Sequence, residues 1–211
     1  SKRRNKLIPE NKSITLLKNI HKDEDVYVIG AGKSMDFYPN NFFDDKLVVG
    51  VNRVCKFFRC DYTVAKDQIG IDEIKSGEYG KLVCSLRDRG SLSLKKIDIS
   101  CCDYVFDHKQ NIMDGNDFKT NEGELLVSVS TISTAIHLAA YMGAKNIYVC
   151  GQDGVAINGE CCMTGYYKEN DNLLLQTIEG YLKFVSKSLK QCNKICEYIS
   201  EKYGCNIYLG S

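Results

Sequence analysis

The chain of 211 residues has no long apolar run, no broad surplus of one charge, only three histidines, and no proline after residue 165. Each absence excludes something. No apolar segment approaches the roughly 20 residues that a membrane-crossing helix needs, and no charged-then-apolar leader opens the sequence, so a cytoplasmic protein is expected. A formal net charge of +1 with 26% charged residues describes an ordinary soluble surface, not the basic field that grips nucleic acid. Only "SKRRNK" at the start is strongly basic, and a short charged terminus reads as a solvated tail. His21, His108 and His137 are scattered, and the eleven cysteines lack the paired C-x2-C spacing of a zinc site, so no metal site is expected. The cysteine count is odd, and Cys84 and Cys150 stand inside apolar runs. Reduced thiols packed as small hydrophobes are the expectation.

What is present is a recurrence of short β-branched runs: "VYVIG", "KLVVGVN", "DYTVAKD", "KLVCS", "CDYVFD", "NIYVCGQD" and "CNIYLG". Amphipathic stretches separate several of them. The clearest is "TISTAIHLAAYM" at 131–142, opened by hydroxyl residues able to cap a helix and closed by Gly143. Strand and helix in alternation predict an α/β fold, a Rossmann-like and mostly parallel sheet with helices on both faces, in a single domain. Farther on, Ile178, Leu182, Val185, Leu189, Cys192, Cys196, Ile199 and Tyr203 form one helical stripe. Two readings stay open for it: a helix docked on the sheet, or a seam between copies in a homo-oligomer.

In such a sheet, ligands bind beyond the carboxyl ends of the strands, where backbone N–H groups and helix N-termini face an anion. Gly30-Ala31-Gly32-Lys33-Ser34 lies at such an end. It is not a P-loop, because Tyr27 stands where G-x-x-x-x-G-K-[ST] begins. Nor is it a dinucleotide fingerprint: Met35 holds the third glycine position, and the next strand ends in Asn52 instead of an acid. Three further strand ends are polar. They carry Asn52 and Arg53, then Lys66, Asp67 and Gln68, then Gly151, Gln152 and Asp153. Four polar ends on one edge predict one crevice, in which amides read a base or sugar edge.

"VYVIGAGKSMDFYP", "GVNRV" and "SVSTISTAIHLAAYMGAKNIYVCGQDG", followed by "NG" and "GYY", resemble the family 42 bacterial sialyltransferases. They equally resemble the broader superfamily holding the motility accessory factor glycosyltransferases and an archaeal, MptE-like pterin pyrophosphokinase. The likeness runs from about residue 26 to 210, with "KYGCNIYLGS" as the closing strand. It implies a tail and helix over 1–24, then a nucleotide-sugar-binding domain over 25–211 with a short lid near 154–172. The implied activity is transfer from a CMP-sugar of the sialic-acid type to a hydroxyl acceptor such as a glycan, without cofactor or metal.

By the same resemblance, Gly30, Gly32 and Ser34 approach the phosphate and ribose, Asn52, Ser130 and Thr131 line the nucleotide, and Tyr166 and Tyr167 aim phenols at the departing phosphate. Ala31 and Lys33 of the same turn, and the strand-end residues Arg53, Asp67, Gly151 and Gln152, are expected beside the nucleotide with them. The chain departs from the pattern at Ala31 and Lys33, at Ser128 in place of an arginine, and in having no histidine after His137. Sugar transfer needs a base for the acceptor hydroxyl, and without that histidine the carboxylates Asp153 and Asp67 are the candidates. Two alternatives remain: a Mg2+-dependent phosphotransferase with Asp67 and Asp153 on the metal, and a catalytically inactive nucleotide-binding module.

Overall fold

The computed structural model describes residues 8–74, 79–87, 97–109, 117–167 and 177–210. Eight parallel strands form one sheet: β1 (Asp25–Ile29), β2 (Leu47–Val51), β3 (Tyr62–Ala65), β4 (Lys81–Ser85), β5 (Tyr104–Lys109), β6 (Glu124–Leu126), β7 (Asn146–Cys150) and β8 (Asn206–Leu209). Their order across the sheet is β6-β5-β4-β3-β2-β1-β7-β8. The seven β-branched runs of the sequence all became strands. The eighth, β6, has only three residues and no alternation to announce it.

The central strands are buried along nearly their whole length, as expected of a parallel sheet covered on both faces. Among the described residues, three α-helices accompany them: α1 (Gln68–Ile74), α2 (Thr131–Tyr141) and α3 (Ile178–Tyr203). Ser130 caps α2 by accepting the Ile132 N–H at 3.4 Å, and Gly143, at φ +99°, turns the chain out of it. Every residue of α2 is buried, so its polar side chains need internal partners. Thr134 donates to the Leu126 carbonyl at 2.9 Å. His137 accepts the Leu126 N–H through Nδ1 at 2.9 Å and meets the Tyr203 hydroxyl through Nε2, also at 2.9 Å. Burial pushes the His137 pKa down to about 3, so this imidazole is a neutral core group.

The heptad stripe lies on one unbroken helix, α3, capped by the Thr177 hydroxyl on the Gly180 N–H and stopped by Gly204 at φ +65°. Val185, Cys192, Cys196 and Ile199 pack into the protein's own core, while Ile178 and Leu182 are exposed. The segment expected as tail and helix holds, over its described residues, two 3₁₀ turns (Glu10–Lys12 and Ile14–Leu17) that bury Ile14 and Leu17 in the same core. All eleven cysteines are free thiols, only Cys101 and Cys162 being less than fully buried. Among the described residues no helix is long and apolar enough to cross a membrane.

The strand order changes direction at β1: the chain winds from β1 out to β6, then returns to place β7 on β1's other side. Connections on the two sides of such a switch point diverge, leaving a crevice beyond the carboxyl ends of β1 and β7.

Candidate functional site

A cavity of about 310 Å³ occupies this crevice, at the lower end of the roughly 300–1,000 Å³ typical of ligand pockets. Its floor is the pair of turns after β1 and β7. The Gly30 N–H donates to the Cys150 carbonyl at 2.8 Å, and the Gly32 N–H donates to the Gly151 carbonyl at 2.7 Å. A Cβ on Gly30 would meet the Gly151 carbonyl at 2.7 Å. One on Gly32 would meet that oxygen and Asp153 Oδ2, each at 2.6 Å. The glycines therefore let two protein turns touch, besides leaving backbone open to the cavity.

Of the residues singled out in the sequence, Gly30, Ala31, Gly32, Asn52, Asp67, Ser130, Thr131, Gly151, Gln152, Tyr166 and Tyr167 line the cavity. Lys33, Ser34, Arg53 and Asp153 stand behind its wall. The Asp153 carboxylate accepts from the Ser34 N–H at 2.8 Å and from the Ser34 hydroxyl, tying the β7 turn to the 3₁₀ turn Lys33–Phe37. Lys33 pairs with Asp36 at 2.7 Å and with Glu160. These carboxylates, Asp36 before Glu160, hold its ammonium above the ordinary lysine value.

The expected lid lies, over its described residues, as a strap on the glycine turn. The Met163 N–H donates to the Ala31 carbonyl at 2.9 Å, and Thr164 donates to Asp36 through its N–H at 2.9 Å and its hydroxyl at 2.7 Å. Residues 168–172 of that lid lie outside the described residues. The strap carries Tyr166 and Tyr167 over Arg53, whose guanidinium is 4.8 Å from the first ring centre and 5.7 Å from the second. Glu73 pairs with Arg53 at 3.3 Å. Burial pushes the Tyr166 phenol up to about 12 and raises those of Tyr167 and Tyr181 as well. At neutral pH all three are hydroxyl donors.

A further part of the lining is the N-terminal end of α2 with the ends of β2 and β3. Lys66 donates to the Ser128 carbonyl at 2.9 Å and the Val129 carbonyl at 2.6 Å, positioning the loop that enters α2. Asn52 sits at φ +48°, a left-handed conformation that asparagine tolerates. Its amide reaches Thr131 Oγ1 at 3.5 Å, and its Oδ1 is buried without a hydrogen-bond partner among the described residues. Asp67 accepts the Gly70 N–H at 2.6 Å and is the one carboxylate among the cavity-lining residues. Those same described residues include no group of three metal-binding side chains.

Sequence reasoning missed the contribution of α3, whose first half closes the mouth with Tyr181, Phe184, Val185 and Ser188. Their spacing of three and four was visible, but it is equally that of a core stripe. It also missed Cys161 and Cys162, whereas Lys66, read as a polar strand end, does line the cavity.

No protein-family model matches the sequence, and the comparison with curated proteins finds no match. Among solved structures the chain is similar to the sialyltransferase CstII from Campylobacter jejuni, determined in complex with a substrate analogue, cytidine-5'-monophosphate. The TM-score is 0.51 and the identity 16%, over 89% of this chain and 80% of that one. At this identity the likeness establishes a shared fold, a Rossmann-like α/β architecture.

Proposed function

We propose that the crevice binds a nucleotide-activated sugar and transfers the sugar to a hydroxyl acceptor, with a CMP-sugar of the sialic-acid type as donor and no metal. The observation that carries this reading is the Asn52 Oδ1, buried without a partner among the described residues, at the switch-point cavity that three protonated phenols also line. A buried acceptor without a donor costs free energy, and a ligand donor group satisfies it. The N-terminal end of α2 favours the phosphate; the Gly30 and Gly32 N–H groups are already donated to the Cys150 and Gly151 carbonyls. Tyr166 and Tyr167 donate to the oxygen that gains charge as the sugar leaves. Arg53, paired with Glu73, stacks beneath both rings and holds them in place. The shared fold with a sialyltransferase solved with cytidine-5'-monophosphate supports the choice of nucleotide.

The Mg2+-dependent alternative asks Asp67 and Asp153 to share a cation. Asp153 instead spends both oxygens on Ser34, outside the cavity lining, so the metal-free reading is preferred. A thermal-shift screen of CMP, CDP, UDP, GDP and ATP, with and without Mg2+, tests it, since a ligand that binds only the native state raises the melting temperature by mass action. CMP or CDP should give the largest shift, unaffected by EDTA. A shift confined to ATP with Mg2+ selects the phosphotransferase, and CMP binding without turnover selects the inactive module.

A further inference from the structure

At the β2–β3 side of the cavity two acceptor oxygens stand together. A Cβ built on Gly70 would lie 3.0 Å from Asn52 Oδ1 and 3.0 Å from Asp67 Oδ1, so their separation is at most twice that distance. Asn52 Oδ1 has no partner among the described residues, and the Asn52 amide nitrogen lies 3.5 Å from Thr131 Oγ1. Asp67 uses Oδ1 to hold the Gly70 N–H. Its second oxygen makes no hydrogen bond among the described residues, and the residue lines the cavity. The lysine that lines the cavity, Lys66, directs its ammonium to the Ser128 and Val129 carbonyls on the α2 side.

We propose that Asn52 Oδ1 and the Asp67 carboxylate form an acceptor-only subsite that holds hydroxyl groups of a sugar ring and turns anionic groups away. This rests on reading the crevice as a nucleotide-sugar site and adds what its β2–β3 side selects. A carbonyl and a carboxylate have no hydrogen to give, so only a donor can satisfy them. Hydroxyls do so as neutral groups, with the strengthening that an ionised acceptor brings. A phosphate or sugar carboxylate placed there would set like charge against Asp67 and lone pairs against Asn52. The anionic part of the ligand therefore belongs at the N-terminal end of α2, and a polyhydroxylated edge belongs at β2 and β3. Two rings carry such an edge: the ribose of the nucleotide and the sugar being transferred.

Calorimetric titration separates these. The probes are CMP, 2′,3′-dideoxy-CMP and CMP–N-acetylneuraminic acid, against wild type, Asn52→Gly and Asp67→Asn. Asn52→Gly keeps the positive φ and deletes the oxygen. Asp67→Asn keeps an oxygen for the Gly70 N–H but removes the charge. If the ribose occupies the subsite, CMP binds wild type roughly tenfold or more tighter than the dideoxy nucleotide, the scale of a hydrogen bond to a charged group, and both variants erase that ratio. If the transferred sugar occupies it, the two nucleotides bind alike, CMP–N-acetylneuraminic acid binds tighter than CMP by a similar factor, and both variants erase that increment. Ratios unchanged by either substitution, in variants that melt as folded proteins and still bind CMP, overturn the subsite and leave the nucleotide reading standing. Tighter binding of CMP–N-acetylneuraminic acid to Asp67→Asn than to wild type would place an anion beside residue 67 and overturn it too. No binding of any probe to wild type overturns both readings.

Discussion

Replacing Asp153 with Asn should damage the architecture of the site before it damages any proton transfer. The wild-type carboxylate accepts two hydrogen bonds from one residue, through the Ser34 N–H at 2.8 Å and the Ser34 hydroxyl. Hydrogen bonds to charged groups are worth about 1.5–3 kcal/mol each. Because Asp153 is only partly buried, the low end applies. An amide keeps one acceptor oxygen but sets an N–H against a Ser34 donor. The hydroxyl can rotate to accept; the backbone N–H cannot. The net loss is about 1.5–2 kcal/mol, and at about 2–4 °C per kcal/mol for a chain of this size the melting temperature should fall by about 3–8 °C. Ser34→Ala should lose a comparable amount. The double variant should lose less than the sum, with a coupling of about 1 kcal/mol or more, because both changes remove the same bond. Urea unfolding and calorimetric melting of the four proteins measure this. An Asp153→Asn protein that melts like wild type, or strictly additive losses, would refute the clamp. Loss of turnover without loss of stability would restore Asp153 as the base that sequence reasoning allowed.

Gly32→Ala forces a methyl group to within 2.6 Å of both the Gly151 carbonyl and Asp153; it should destabilise by about 1–3 kcal/mol, as overpacking does, and unchanged urea unfolding would contradict this. His137 stays neutral in the fold because burial holds its pKa near 3, below the ordinary value of about 6.5. Its contribution to stability is thus complete above about 6.5 and is lost as pH falls toward 3, at up to about 1.4 kcal/mol per pH unit. The urea midpoint should drop more steeply between pH 7 and 5 in wild type than in His137→Gln, and equal slopes would contradict this. Cys162 lines the cavity, only partly buried, and burial pushes its thiol up to about 11. Its alkylation should be slow at neutral pH, faster as pH rises, and slowed again by CMP; labelling indifferent to CMP would put the nucleotide elsewhere. Under denaturing, non-reducing conditions all eleven cysteines should label, and a consistent loss of two labels would reveal a disulfide.

Much of this fold was legible because its strands are buried on both faces and therefore read as apolar runs. The strand β6 was not: three residues cannot show a period, and its place follows from α2 packing beside it through Thr134 and His137. The positions of Asn52 and Asp67 were legible as polar residues just past strands, since the sheet brings all such ends to one edge. The roles of Asp153 and Lys33 were not, because nothing local distinguishes a carboxylate facing a ligand from one 119 residues along the chain from the serine it caps. The stripe of α3 was visible, but not that one helix would serve two purposes, with Cys192 and Ile199 in the core and Tyr181 and Phe184 over the cavity. Sequence reasoning weighed a subunit seam for this stripe. Light scattering at high micromolar concentration tests what remains of that idea, the exposed Ile178 and Leu182.

The central claim is that the crevice between the β1 and β7 turns holds a cytidine nucleotide without a metal. Isothermal titration of CMP in EDTA, into wild type and into Thr131→Val, tests it most directly. Thr131 lines the cavity at the start of α2, its hydroxyl oxygen 3.5 Å from the Asn52 amide nitrogen; valine keeps its shape and removes the hydroxyl. One CMP should bind per chain in EDTA, and binding to the variant should be weaker. No heat of binding in EDTA, or ATP with Mg2+ binding far more tightly than CMP and released by the chelator, would contradict it.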